Sequence, residues 1–80
     1  MTTRKVMLTY PEHLIKEPVL FRMVKKFDVM PNIRRARVTD TIGEIALELE
    51  GAPEDIERGI AFLREAGVQV EPLEGDVIGP

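Results

Sequence analysis

The 80-residue sequence contains no cysteine, no tryptophan and no serine. It has one histidine, His13, one asparagine, Asn32, and one glutamine, Gln69. Without cysteine there is no disulfide framework, no thiol nucleophile and no Cys-ligated zinc or iron–sulfur centre. Without serine the usual hydroxyl nucleophile is missing too. No apolar run approaches the roughly 20 residues that cross a bilayer, so direct membrane insertion is not expected. Met1 to Lys5 lead straight into a short apolar stretch with no cleavage-site pattern, which argues against a signal peptide and for a cytoplasmic location. What remains, 44% hydrophobic and 31% charged residues, is the balance of one soluble globular domain.

The net charge of −3 conceals an asymmetry. Residues 1–40 carry nine Lys/Arg against four Asp/Glu, and residues 41–80 carry two against ten. A split of this kind marks either a surface for a charged partner or two halves that pair within one fold.

Along the chain, Val6-Met7-Leu8-Thr9-Tyr10 is a short apolar run stopped by Pro11, which suits a strand. Pro11 to Glu17 has no apolar period and reads as a loop. Pro18 suits the first turn of a helix, and Leu20, Phe21, Val24 and Phe27 form its expected apolar stripe. After Pro31 and Asn32 a second extended run covers Ile33 to Thr39. Asp40 to Gly43 reads as a turn centred on Thr41-Ile42. Glu44 to Glu50 then alternates strictly, with Ile45, Leu47 and Leu49 on one side and Glu44, Glu48 and Glu50 on the other. Pro53, Glu54 and Asp55 open a second helix with the stripe Ile56, Ile60 and Leu63, and Gly67 closes it. Val68 to Glu71 is the last strand.

The order β-α-β-β-α-β specifies an α+β, ferredoxin-like sandwich: a four-stranded antiparallel sheet with two helices on one face. The inward set is then Val6, Leu8, Ala36, Val38, Ile45, Leu47, Leu49, Val68 and Val70. The other face is uncovered and carries Met7, Thr9 and Ala46 among charges, an apolar patch that a second copy would cover. On the central pair, Arg35 is expected opposite Glu48 and Arg37 opposite Ala46, with Arg34 on the reverse face.

Catalytic groups are scarce. His13 is alone in a loop and reads as a solvated residue. Glu44, Glu48 and Glu50 are spaced by about 7 Å along a strand, too far apart for one small ion, so no metal site is expected. Neither GxGxxG nor a Walker pattern occurs, and no cofactor is expected. Nucleic acid is not an expected partner either, because RNA-recognition sheets display stacking aromatics where this one shows Met7, Thr9, Arg35 and Glu48. An acylphosphatase-like anion loop is excluded by the glycine-free, acidic stretch Pro11 to Glu17. Arg34, Arg35 and Arg37 pair across strands with the glutamates or form a basic ligand site. The chain is read as non-enzymatic.

The run Phe27-Asp28-Val29-Met30-Pro31-Asn32-Ile33-Arg34-Arg35-Ala36 resembles the signature of the NIL domain. Gly43 matches that family's hairpin glycine, Pro18 its helix-opening proline, and Gly67-Val68-Gln69-Val70-Glu71 its last strand. The resemblance makes residues 1–80 a single NIL-like, ACT-like domain with a core at about 4–73. Arg34 departs from the pattern, standing where the family name implies Leu. NIL domains accompany methionine-importer ATPases and ferredoxin modules. The resemblance therefore implies a regulatory domain that binds an amino acid such as methionine at a homodimer interface, through Asn32, Ile33 and Arg34. It implies equally an interaction module for a separately encoded transporter or sulfur-amino-acid metabolism protein. For Asn32 a turn-forming role after Pro31 stands beside the ligand role. The dimer would cover the open sheet face or join edge strands.

Overall fold

The alternation in the third strand builds the sheet it predicts. A computed structural model describes residues 2–73, and in it the chain runs β1 (Thr2–Tyr10), a 3-10 turn (Glu12–Leu14), α1 (Val19–Lys26), β2 (Val29–Val38), β3 (Gly43–Gly51), α2 (Pro53–Ala66) and β4 (Gln69–Pro72). The sheet order is β2-β3-β1-β4, with all three pairings antiparallel. Both helices lie on one face. The result is the α+β, ferredoxin-like fold expected from the element order.

Val6, Leu8, Leu47, Leu49, Val68 and Val70 turn beneath the helices and are buried, and Ile56, Ile60 and Leu63 meet them from α2. Ile45 is half-buried at the margin of this core. Pro53 stands in the first turn of α2 with Glu54 and Asp55 at the positive end of its dipole. Gly67 ends it in the left-handed conformation, φ 107°, which costs glycine nothing. The Gly67 and Val68 N–H groups bond back to carbonyls of the last turn. Gly59 lets the helices approach, since a Cβ there would stand 2.9 Å from the Met23 sulfur.

Four expectations need correction. In α1 the buried residues are Val19 and Met23, whereas Phe21 points outward at 61% exposure. Nearly every residue of this helix other than its cations is apolar, so its period does not single out one face. β2 starts at Val29, so Pro31 and Asn32 lie within a strand and Asn32 caps nothing. Pro31 is tolerated because β2 is an edge. The hairpin turn centres on Asp40-Thr41, where the Thr39 hydroxyl accepts from the Thr41 and Ile42 N–H groups and Thr39 N–H donates to the Ile42 carbonyl. That moves the register by two residues: Arg35 faces Ala46 and Arg37 faces Glu44. Finally, a bulge between Ile33 and Arg35 turns Arg34 onto the same face as Arg35, where its Nε lies 3.8 Å from Glu48 Oε1. Ala36 and Val38 keep their expected direction but overhang the helices, and Val38 is 58% exposed.

Leu47 lies at the centre of the core with no exposed surface. Leu47→Ala is expected to destabilise the domain by about 2–5 kcal/mol in urea denaturation. A variant with the parental midpoint would contradict the register of β3.

Candidate functional site

The residues singled out by the resemblance lie together in sequence but not on one surface. Asn32 pairs with Glu48 and faces the open side of the sheet, as does Arg34 through the bulge. Ile33 pairs with Leu47 and faces the helix side, yet it is 52% exposed because no helix reaches that far. All three stand on β2, whose outer backbone edge is unpaired. His13 is exposed in the 3-10 turn. Among the described residues, no group of three or more His, Asp or Glu is close enough to hold a metal ion. No helix among them is long and apolar enough to cross a membrane.

The charge asymmetry is resolved only in part by pairing between the halves of the chain. Arg4 binds Glu57 and Arg34 approaches Glu48 across it, whereas Arg22–Glu17 and Arg58–Asp55 are local pairs. On α1, Lys25 lies over the Phe21 ring and Lys26 over Phe62. The stretch from α1 through β2 therefore stays basic, with Arg22, Lys25 and Lys26 on its helix side and Arg34, Arg35 and Arg37 on its open side.

Two concavities flank β2. One is an apolar cleft of about 180 Å³ between the start of α1 and the hairpin end, walled by Tyr10, Ile15, Val19, Phe21, Val38 and Ile45. Sequence reading missed it because Val19 and Val38 were assigned other surroundings. The other is a depression of about 470 Å³ on the open face around Ala46. The expected apolar patch there is recessed: Ala46 is buried, and Met7 and Thr9 are half-buried between longer neighbours.

Burial raises the Tyr10 phenol above its usual value of 10.0. The unfolded chain therefore ionises Tyr10 first. Its contribution to stability is complete below pH 10 and is lost as pH climbs through the folded value. Thermal melts of Tyr10→Phe against the parent are expected to show a smaller alkaline loss of stability in the variant. Equal losses would contradict the burial of this hydroxyl.

Comparison with known proteins gives a consistent picture. The family model of the NIL domain matches residues 4–72. A methionine import ATP-binding protein MetN from Coxiella burnetii is 34% identical over 70 residues, covering 82% of this chain and 20% of the relative. A methionine import ATP-binding protein MetN 1 from Listeria innocua is 36% identical over 62 residues, covering 72% of this chain and 18% of the relative. The chain thus spans about a fifth of the length of the curated relatives it matches. Among solved structures, the C-terminal domain of an ABC transporter ATP-binding protein from Enterococcus faecalis superposes with a TM-score of 0.81 at 22% identity, covering 91% of this chain and 86% of that one. At that identity the superposition speaks for the fold.

Proposed function

Because the chain belongs to the NIL domain family, we propose that it is a non-catalytic regulatory domain of the cytoplasm that binds an amino acid such as methionine between two copies of itself. The observation that carries this reading is where apolar surface is left uncovered. The large hydrophobic residues that stand exposed, Phe21, Met30, Ile33 and Val38, all belong to α1 and β2. They form one lateral edge around a ten-residue strand with its outer backbone unpaired. Apolar groups gathered this way suit a self-complementary two-fold contact. Asn32, Ile33 and Arg34 lie midway along that edge, so a second copy would close over them. Arg34 offers a fork of donors to a carboxylate, Asn32 both donor and acceptor, and Ile33 an apolar surface.

A second reading is favoured by Arg34, Arg35 and Arg37. In an edge-to-edge homodimer these side chains approach their own copies, and like charges across strands are unfavourable. An acidic strand from a separate transporter subunit or sulfur-metabolism protein would meet them better. In that case the domain is an interaction module.

Sedimentation equilibrium and calorimetry separate the two. The homodimer reading expects twice the 9.0 kDa protomer mass at micromolar protein. Phe21→Ser and Val38→Ser, both at exposed positions, are expected to shift the protein toward monomer without lowering its melting temperature. The ligand reading expects saturable heat with L-methionine and at least fivefold weaker binding by Asn32→Ala. A protomer mass unchanged by methionine removes the dimer. No heat and no thermal shift at millimolar methionine removes the ligand.

A further inference from the structure

The depression on the open face has a definite origin in the sequence. Along β3 this face presents Glu44, Ala46, Glu48 and Glu50, and the alanine interrupts a column of long acidic side chains. Met7 stands opposite Ala46 on one side and Arg35 on the other, while Arg37 stands opposite Glu44. The hollow of about 470 Å³ is lined by Met7, Arg35, Ala36, Arg37, Glu44 and Ala46. Ala46 is 2% exposed and Met7 half-buried, which gives an apolar floor. The three charged residues around it are exposed. Arg35 and Arg37 are neighbours on one face of one strand, about 7 Å apart, and Glu44 is one strand away, about 5 Å.

We propose that this depression holds an apolar α-amino acid as its zwitterion. The carboxylate lies on Arg35 and Arg37, the ammonium on Glu44, and the side chain on the floor of Met7 and Ala46. The charge pattern selects for that class. A simple anion entering the hollow meets the carboxylates of Glu44 and Glu48, and a simple cation meets the guanidiniums. A molecule bearing both signs on adjacent atoms, with an apolar tail, has a partner for every part. Guanidinium forks bind carboxylates with two parallel hydrogen bonds, which fixes orientation as well as affinity. Asn32 and Arg34 stand on the same face beside Glu48, so the hollow is continuous with them. The proposal rests on the reading that this domain binds an amino acid, and it adds which groups receive the two charges and the side chain.

The test is calorimetry and amide-shift mapping by NMR on the full chain. The ligands are L-methionine, N-acetyl-L-methionine, which lacks the ammonium, and L-methioninamide, which lacks the carboxylate. Each analogue is expected to bind at least tenfold more weakly than L-methionine. Arg37→Gln, at an exposed position, is expected to cost tenfold in affinity, and Ala46→Leu, which fills the hollow, to abolish binding. Shifts are expected at Met7, Arg35, Arg37, Glu44 and Ala46. If methionine binds the parent while a folded Arg37→Gln variant binds it equally and the shifts lie around Tyr10, Val19 and Val38, this placement is overturned and the amino-acid reading survives. If methionine does not bind the parent at all, both fall.

Discussion

Two helices on one side of a four-stranded sheet bury one of its faces and leave the other to water. The period of two in β3 meets that constraint: Ile45, Leu47 and Leu49 turn beneath the helices while Glu44, Ala46, Glu48 and Glu50 turn away. With principal extents of 35 × 28 × 16 Å the molecule is only two layers thick. It has no room for a deep internal cavity, so any ligand has to lie on a face or along an edge. Helix coverage is also uneven across the width of the sheet. It is complete over β1 and β3 and gives out at β2, where Ile33, Ala36 and Val38 point the right way with nothing above them. The exposed apolar edge and the charged open face are therefore two results of one shortage of covering layers.

The legible parts of the fold were those with a single dominant pattern. β3 alternates without exception, and α2 has an apolar stripe bounded by Pro53 and Gly67, so both elements were readable to within about a residue. In α1 the order Val19-Leu20-Phe21 followed by Met23-Val24 offers apolar residues in several directions. Tertiary contact with Gly59 and Val29, rather than period, decides that Met23 goes in and Phe21 stays out. The bulge in β2 was invisible for a different reason. One extra residue reverses the sidedness of everything before it, and Asn32-Ile33-Arg34-Arg35 carries no glycine or break to mark the place.

The site was legible in composition and illegible in geometry. The lack of catalytic groups and the likeness around Asn32 were on the surface of the sequence. Ala46 was visible as an interruption in a row of glutamates, but its burial depends on the length of side chains from two neighbouring strands and on a register set by the Thr39 hydroxyl. A two-residue error in that register exchanges Glu48 for Ala46 opposite Arg35 and closes the hollow on paper. Pairwise charge arithmetic was sound in kind and wrong in partner.

The interruptions in β2 also bear on how far self-association can run. An exposed edge strand is ordinarily a template onto which further strands add without limit, the route to fibres and aggregates. Here Pro31 has no N–H to donate, the bulge breaks the even spacing of donors and acceptors, and three arginines in four residues repel a stacked copy. On the opposite border of the sheet β4 has only four residues, and Arg64 donates to the Val70 carbonyl. A molecule built this way can form a finite pair through side chains while being a poor seed for an endless sheet. Restraint of that kind matters to a small domain that displays so much backbone along one border.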